Sequence, residues 1–263
     1  MFGESTWDNF YEMQNKGCSI AGYLECDGSI VKISSIDDIN NFIARFGKSI
    51  NELTEQELDG LASKEGETTS DDCGVKYLKI PPVLKNGVIM ESYKIREGTI
   101  AIGDNSFNVR CQYYNKRNIL KAVKIPNSVI VIGKGAFYSN HRLQIVDFSD
   151  SIKKIGDNAF CGCSLMSIDL PKSLLYIGKS AFANNPVQSI VIPESVKKIE
   201  SYAFKSCREL RMVTFHGLPE SFGNGIFASC SKLQEIIIPY GTTEYYLEKL
   251  FPLSKDMIFE NSR

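Results

Sequence analysis

The chain has few histidines, and it has no surplus of charge of either sign. Its 263 residues include two histidines and one tryptophan, and its 30 lysines and arginines are balanced by 31 aspartates and glutamates. Binding to nucleic acid or to an anionic membrane usually requires a basic surplus, so we expect neither partner. No apolar run approaches the ~18–20 residues that span a bilayer, so we expect no membrane insertion.

A secretory signal is also missing from the given sequence. The first residues, MFGESTWDNF, contain no basic region and no apolar stretch, whereas a signal peptide has both. This favours a cytoplasmic location, although a secreted chain whose signal had been removed would look the same. In that second case Cys18 and Cys26, which flank a predicted strand, could form a disulfide bond.

What the sequence does contain is a repeat. A phenylalanine recurs as Phe107, Phe137, Phe160, Phe182, Phe204 and Phe227, with steps of 30, 23, 22, 22 and 23 residues. In most copies a small residue directly precedes this phenylalanine, and an apolar residue followed by glycine stands four to five positions before it. Such a period is typical of solenoids, in which single units are too small to fold alone and neighbours share one core.

Each copy contains the pattern of a short strand and a turn. Ile190-Val191-Ile192 alternates apolar and variable residues, which predicts a strand with one buried face. Pro193 ends this strand because proline has no N–H to donate. A second extended piece follows at Ser195–Ile199, and Ala203-Phe204 is predicted to lie in a tight helical turn that points its ring inward.

One position, three residues after the phenylalanine, alternates between cysteine and asparagine. It holds Asn140, Cys163, Asn185, Cys207 and Cys230. We interpret it as an interior column whose side chains satisfy backbone groups of the turn. Equivalent positions lie one coil apart, which makes disulfide geometry unfavourable, so these cysteines are predicted to be free thiols.

The segment IPESVKKIESYAFKSC, residues 192–207, resembles the BspA-like, or Treponema-type, leucine-rich repeats. The resemblance extends over roughly residues 95–250 and departs from the pattern at Glu200, which replaces the usual glycine. It implies an α/β repeat fold, a right-handed leucine-rich-repeat solenoid with short strands and short helical turns. It also implies a bacterial protein that binds other proteins or adheres to matrix, at the cell surface or secreted if a signal was removed, and it brings no catalytic residues.

Three segments are predicted along the chain. Residues 1–65 form a small α+β domain, with helices opening at Ser5, Ser35 and Thr54 and a hairpin around Asp27-Gly28. Residues 66–75 are a polar linker, and residues 76–263 are the solenoid. In its last, degenerate copy Lys249 replaces the small residue and Leu250 the phenylalanine, which indicates a C-terminal cap. The N-terminal segment is either a cap or accessory domain, or a separate recognition module.

No motif predicts a catalytic, cofactor or metal site. His141 and His216 lie in repeat loops and are expected at the surface. Cys161-Gly162-Cys163 lacks the Cys-x-x-Cys spacing of structural zinc, and Gly133-Lys134-Gly135 lacks the third glycine of a nucleotide loop. We therefore expect a protein that is not an enzyme and has no cofactor.

Two lysine pairs, Lys153-Lys154 and Lys197-Lys198, stand at corresponding edges two coils apart. They could form a basic stripe for an acidic partner, interrupted by Leu175-Tyr176. The alternative is an ordinary solvated face.

The predicted partner-binding surface is the outward side of the strand row. Its residues are Lys124, Asp147, Asp169, Val191, Thr214 and Ile237. Packing constrains the inward residues of each strand and leaves the six outward residues free to vary, so the outward residues can determine which partner is bound. We expect a monomer that binds another protein through this face. The alternative is a structural scaffold whose residues 1–65 carry the recognition.

Overall fold

The computed structural model describes residues 22–26, 29–33, 41, 53–62, 92–95, 100–108, 120–250 and 255–262. The helix predicted at Ser5, the linker at 66–75 and the strands predicted between residues 76 and 87 lie outside the described residues, as does all but residue 41 of the helix predicted after Ser35. The predicted boundaries between the segments therefore stay predictions.

Two of the N-terminal elements are present where the sequence predicts them. Strands β1 (Gly22–Cys26) and β2 (Ser29–Ile33) pair in antiparallel fashion, with Cys26 opposite Ser29. This register leaves Asp27-Gly28 as the two-residue connection. Helix α1 (Glu55–Ala62) begins directly after Thr54, whose carbonyl accepts the Leu58 N–H at 3.0 Å.

The rest of the described chain is a β-solenoid of about six turns with a period of about 23 residues, as predicted. Its strands are β3 (Ser92–Lys94), β4 (Ala101–Ile102), β5 (Ala122–Lys124), β6 (Val131–Ile132), β7 (Ile145–Asp147), β8 (Lys154–Ile155), β9 (Tyr176–Ile177), β10 (Ser189–Ile192), β11 (Lys198–Ile199), β12 (Met212–Phe215), β13 (Ser221–Phe222), β14 (Glu235–Ile238) and β15 (Ile258–Glu260), with helix α2 (Thr243–Lys249) before β15.

The strands form two parallel rows. The first row consists of the sheets β3-β5-β7 and β10-β12-β14-β15. The second row is the six-stranded sheet β13-β11-β9-β8-β6-β4. The first row is interrupted at residues 168–170. There Ile168 and Leu170 are buried and Asp169 is exposed, as in a strand, but their backbone groups make no ladder hydrogen bonds with described neighbours.

The predicted helical turns are successive hydrogen-bonded turns and not helices. Within a coil, the Ala159 N–H donates to the Gly156 carbonyl at 3.2 Å; between coils, the Phe160 N–H donates to the Ala181 carbonyl at 2.7 Å. Backbone N–H groups can donate alternately within the coil and to the next coil because the residue two positions before the phenylalanine has a left-handed backbone. The residues there are Asn105, Gly135, Asn158, Ser180, Tyr202 and Gly225, with φ between 53° and 63°. The turns thus form a third ladder along the solenoid.

Where glycine recurs before a turn, close approach of the preceding coil and not φ accounts for it. It is not left-handed, but a Cβ on Gly178 would lie 2.5 Å from the Gly156 carbonyl carbon of the preceding coil. A real Cβ does not approach backbone so closely, so glycine lets neighbouring coils touch here. Glu200 in the same position agrees with the absence of a left-handed requirement.

The six phenylalanines are the core, as the repeat predicts. Their rings stack at centroid distances of 4.6, 5.0, 5.5, 5.5 and 5.8 Å, and Phe137, Phe160, Phe182 and Phe204 have no exposed surface. Near-parallel stacked rings with such spacings attract one another in addition to their burial. Each ring therefore contributes to two coils.

The cysteine and asparagine column also lies inside, and its side chains do satisfy the turn. The Cys163 thiol donates to the Phe137 carbonyl at 3.3 Å, and the Asn185 amide donates to the carbonyls of Phe160 and Phe182, both at 2.8 Å. Cys161, Cys163, Cys207 and Cys230 are free thiols. Burial raises the pKa of Cys163 far above its usual range, so this thiol stays protonated and can donate.

The repeat ends in helix α2. Tyr246 is fully buried, and its ring centroid lies 4.9 Å from that of Phe215 and 6.0 Å from that of Phe222. Leu250 is buried in the phenylalanine position, whereas Lys249 is exposed because an ammonium group is costly to bury. The chain then returns to the first row, where β15 pairs with β14.

Candidate functional site

The outward side of the first row is built by strand alternation. In β10, Ile190 and Ile192 are buried and Val191 is 46% exposed, because successive side chains point to opposite faces. Parallel pairing then places Val191 beside Thr214, and Thr214 beside Ile237. These three predicted residues therefore form one column on a paired, rigid sheet.

The other three predicted residues form a separate, charged part. Lys124 of β5 faces Asp147 of β7, and the Lys124 Nζ lies 3.5 Å from an Asp147 carboxylate oxygen. Asp169 is exposed in the interruption of the row and forms no ion pair with a described residue. The structure thus separates the predicted site into an internally paired charged end and an apolar end.

Phe259 extends the apolar end, and the sequence prediction missed it. It lies in β15 directly beside Ile237 and is 49% exposed. Met212, 36% exposed, lies one position along β12 from the buried Val213. We name Val191, Met212, Ile237 and Phe259 the apolar patch. Phe259 follows the decay of the repeat, so only the short apolar run Met257-Ile258-Phe259 could have indicated it.

The lysine pairs of the second row are not simply a solvated face. Lys197 is exposed, but the Lys154 side chain is only 6% exposed and its Nζ contacts Glu55 and Asp59 of helix α1. The expectation of a solvated face is wrong for Lys154 because a carboxylate pair from the chain itself covers it. Partial burial raises the pKa of Glu55, but hydrogen bonds from Lys198 and Lys154 outweigh this and lower it below its ordinary value of 4.5.

The described part of the chain contains little that suggests chemistry. His141 and His216 are exposed, as predicted, and no group of histidine, cysteine, aspartate and glutamate among the described residues could hold a metal ion. No helix within the described ranges is both long and apolar enough to cross a membrane.

A cavity of about 490 Å³ opens at the turn of the last full coil. The described residues that line it include Phe222, Ile226, Phe227, Leu233, Leu250 and Met257, with Lys249 and Cys230 as the ionisable groups. No histidine, aspartate or glutamate is among the described residues that line this cavity, so these residues show no activated nucleophile. The cavity therefore gives no support to a catalytic role.

Comparison with known families identifies the repeat. A family model described as "BspA type Leucine rich repeat region", with six copies, matches residues 83–156, 102–234 and 153–255, which together cover more than half of the chain. The chain belongs to the BspA-type leucine-rich repeat family. Leucine-rich repeats of this family commonly mediate protein binding or adhesion, and they are generally non-enzymatic scaffolds.

Solved structures include other leucine-rich repeat proteins. A leucine-rich repeat protein from Bacteroides ovatus is 31% identical, over 60% of this chain and 42% of its own, with a TM-score of 0.48. The leucine-rich repeat protein of T. pallidum is 25% identical, over 64% of this chain and 87% of its own, with a TM-score of 0.48.

A third relative is a leucine-rich cell surface protein from Faecalibacterium prausnitzii. It is 24% identical, over 65% of this chain and 40% of its own, with a TM-score of 0.39. This chain thus spans less than half of the length of the Bacteroides and Faecalibacterium proteins. No curated protein matches the chain.

Proposed function

We propose that the protein binds another protein through the outward side of the first row, without catalysis. The observation that carries this proposal is the column Val191, Thr214, Ile237 and Phe259, which lies in register across four paired strands. A rigid platform that exposes apolar side chains loses little conformational entropy on binding. Exposed apolar patches on soluble proteins often mark interaction sites.

The charges around the apolar patch favour a particular orientation of the partner. Glu235 pairs in register with Met212 of the patch and is exposed, whereas Lys124 is engaged with Asp147. The partner surface that fits is an apolar one flanked by basic residues, since like charges across an interface are unfavourable. By the family's common role and the cell-surface relative, we propose adhesion at the bacterial surface as the setting.

The test begins with a photo-reactive amino acid at residue 191, which captures contacting partners in cells. The captured protein is then purified, and its affinity is measured for the wild type and for Val191→Glu/Ile237→Glu/Phe259→Glu. Burying three carboxylates in an apolar interface should weaken binding at least about a hundredfold.

A matched control carries Lys179→Glu and Asn224→Glu, both at exposed positions on the turn side of the solenoid. It should bind as the wild type does. Equal affinity of the triple variant and the wild type, with both folded by circular dichroism, would overturn the proposed surface. Recognition by residues 1–65 would then be the remaining hypothesis.

A further inference from the structure

The second row carries a pair of lysines that converge on one carboxylate. Lys154 of β8 and Lys198 of β11 lie on either side of Tyr176 of β9, in register. One Glu55 oxygen lies 3.1 Å from the Lys154 Nζ, and the other lies 2.9 Å from the Lys198 Nζ. The Lys198 Nζ also lies 2.7 Å from a carboxylate oxygen of Glu200 in its own coil. Asp59, one helical turn after Glu55, lies 2.6 Å from Lys154. The solenoid thus holds a carboxylate between two of its coils.

Helix α1 covers the lysine pair, and any helix that covers the pair in this way has to place a carboxylate beside it. The Lys154 side chain is only 6% exposed, and the Lys198 side chain is 33% exposed. A nearly buried ammonium without a carboxylate beside it is strongly unfavourable. The carboxylates are more accessible, since the Glu55 side chain is 31% exposed and that of Asp59 is 61% exposed. Solvent and competing molecules therefore reach the site from the helix side.

Helix α1 has the pattern of a docked peptide. It has eight residues, fewer than the ~12–15 at which isolated helices become stable in water. Leu58 has no exposed surface and Leu53 is 2% exposed. Glu55, Leu58 and Asp59 are three and four residues apart, so they share one face. The helix packs mainly against β1, and it also packs against β6 and β4 of the second row.

We propose that the second row around Lys154 and Lys198 is a docking site for a short acidic amphipathic helix, and that α1 is its tethered occupant. The recognised pattern is a carboxylate, a leucine three residues later and a second carboxylate directly after it. A partner helix with this pattern competes with α1 for the same lysines. Tethering gives α1 an effective concentration of about millimolar, so the intact chain keeps the site closed to weak competitors.

The test uses the full chain and a fluorescein-labelled synthetic peptide of residues 51–63 as the probe. Fluorescence anisotropy measures its binding to the wild type and to Glu55→Lys/Asp59→Lys, in which charge reversal expels α1. We expect at least about tenfold tighter binding to the variant, and weaker binding when salt is raised from about 0.05 to about 0.5 M. A peptide with Glu55→Gln and Asp59→Asn is the matched control and should bind neither protein.

A second variant tests the proposal in case the charge-reversed chain does not fold. Glu55→Gln/Asp59→Asn keeps the size of both side chains while removing their charge, and it should also bind the acidic peptide more tightly than the wild type does. Adding Lys154→Met and Lys198→Met together to either variant should abolish the gain. If the acidic peptide binds wild type and both variants equally, or if the control peptide binds as well as the acidic one, the docking site is not there.

Discussion

At the residue scale, the least favourable backbone position of the described solenoid is Tyr202. It has φ of 63°, where its counterparts in the other coils are asparagine, glycine or serine. A left-handed conformation costs a residue with a Cβ about 1–2 kcal/mol, and asparagine tolerates it better. We therefore expect Tyr202→Asn to raise the free energy of unfolding by about 0.5–1 kcal/mol.

Urea denaturation measures this change, and Tyr202→Phe, which keeps the ring, serves as the control and should leave stability unchanged. The Tyr202 ring also lies 5.0 Å from the Lys205 Nζ. A loss of stability in Tyr202→Asn would mean that this contact and the ring's packing outweigh the backbone strain.

The interior amide column gives a second prediction. Asn185 donates to two carbonyls and accepts the Leu165 N–H at 3.1 Å. Asn185→Ala leaves these buried groups without partners, which should cost about 1–3 kcal/mol. Asn185→Cys should cost less, because cysteine already occupies this column and donates to the same type of carbonyl. Thermal unfolding of both variants checks the order, and an alanine variant as stable as the cysteine one would contradict it.

The interior residues are the ones that the sequence predicts well. The position of Phe160 is phenylalanine in six copies, and that of Cys163 is cysteine or asparagine in five, because neighbouring coils impose the same packing on them. The left-handed positions escaped prediction. Four of the six residues there are asparagine or glycine, which favour a left-handed backbone, but Ser180 and Tyr202 are not, so the residue types alone do not reveal the position.

At the scale of elements, the cysteine column predicts thiol reactivity. Cys163 and Cys207 are buried, and the neighbouring Cys230 thiol together with burial raises the pKa of Cys207. Since the thiolate is the reactive form, both should remain unmodified by iodoacetamide in the native protein and react fully after denaturation without reductant. Site-resolved mass spectrometry distinguishes them from the other cysteines. A disulfide at either residue would contradict the interior column.

Helix α1 has a contact with the solenoid that depends on pH. The pKa of Glu55 is lower in the folded chain than its ordinary value of 4.5. When folding lowers the pKa of a carboxyl group, the ionised group stabilises the fold at pH values above its pKa in the unfolded chain. This stabilisation is lost as the pH falls through the pKa of the group in the folded chain. The wild type should therefore be more stable than Glu55→Gln at pH 7, and this difference should shrink below about pH 4.5. Urea denaturation across this range measures it; a difference that stays constant would exclude the ion pairs as its source.

The elements also differ in how well the sequence predicts them. Pro193 and the alternation at residues 190–192 indicate β10 directly. Strand β15 lies beyond the decayed repeat, and only its pairing with β14 shows that Phe259 belongs to the outward column. The partners of Lys154 lie 99 and 95 residues away in α1, at Glu55 and Asp59, a distance that no local pattern spans.

At the scale of the whole molecule, the repeat explains the division between core and surface. Each coil contributes equivalent positions to the stacked phenylalanines, to the turn ladder and to the two strand rows. The outward residues of the first row differ from coil to coil, from Lys124 and Asp147 at one end to Ile237 and Phe259 at the other. The repeat therefore supplies shape, and the variation between copies supplies the surface on which we propose that a partner is recognised.

The most direct test of this account is Phe160→Ala, measured by chemical denaturation and by hydrogen exchange at neighbouring coils. Because the Phe160 ring stacks on both Phe137 and Phe182, we predict a loss of about 3–5 kcal/mol. Protection should also fall at the Phe137 and Phe182 amides, which bond to the next coils. Met166→Ala, at a 63% exposed position, is the control and should change little. A loss below about 1 kcal/mol, or one confined to the mutated coil, would contradict a core that neighbouring coils share.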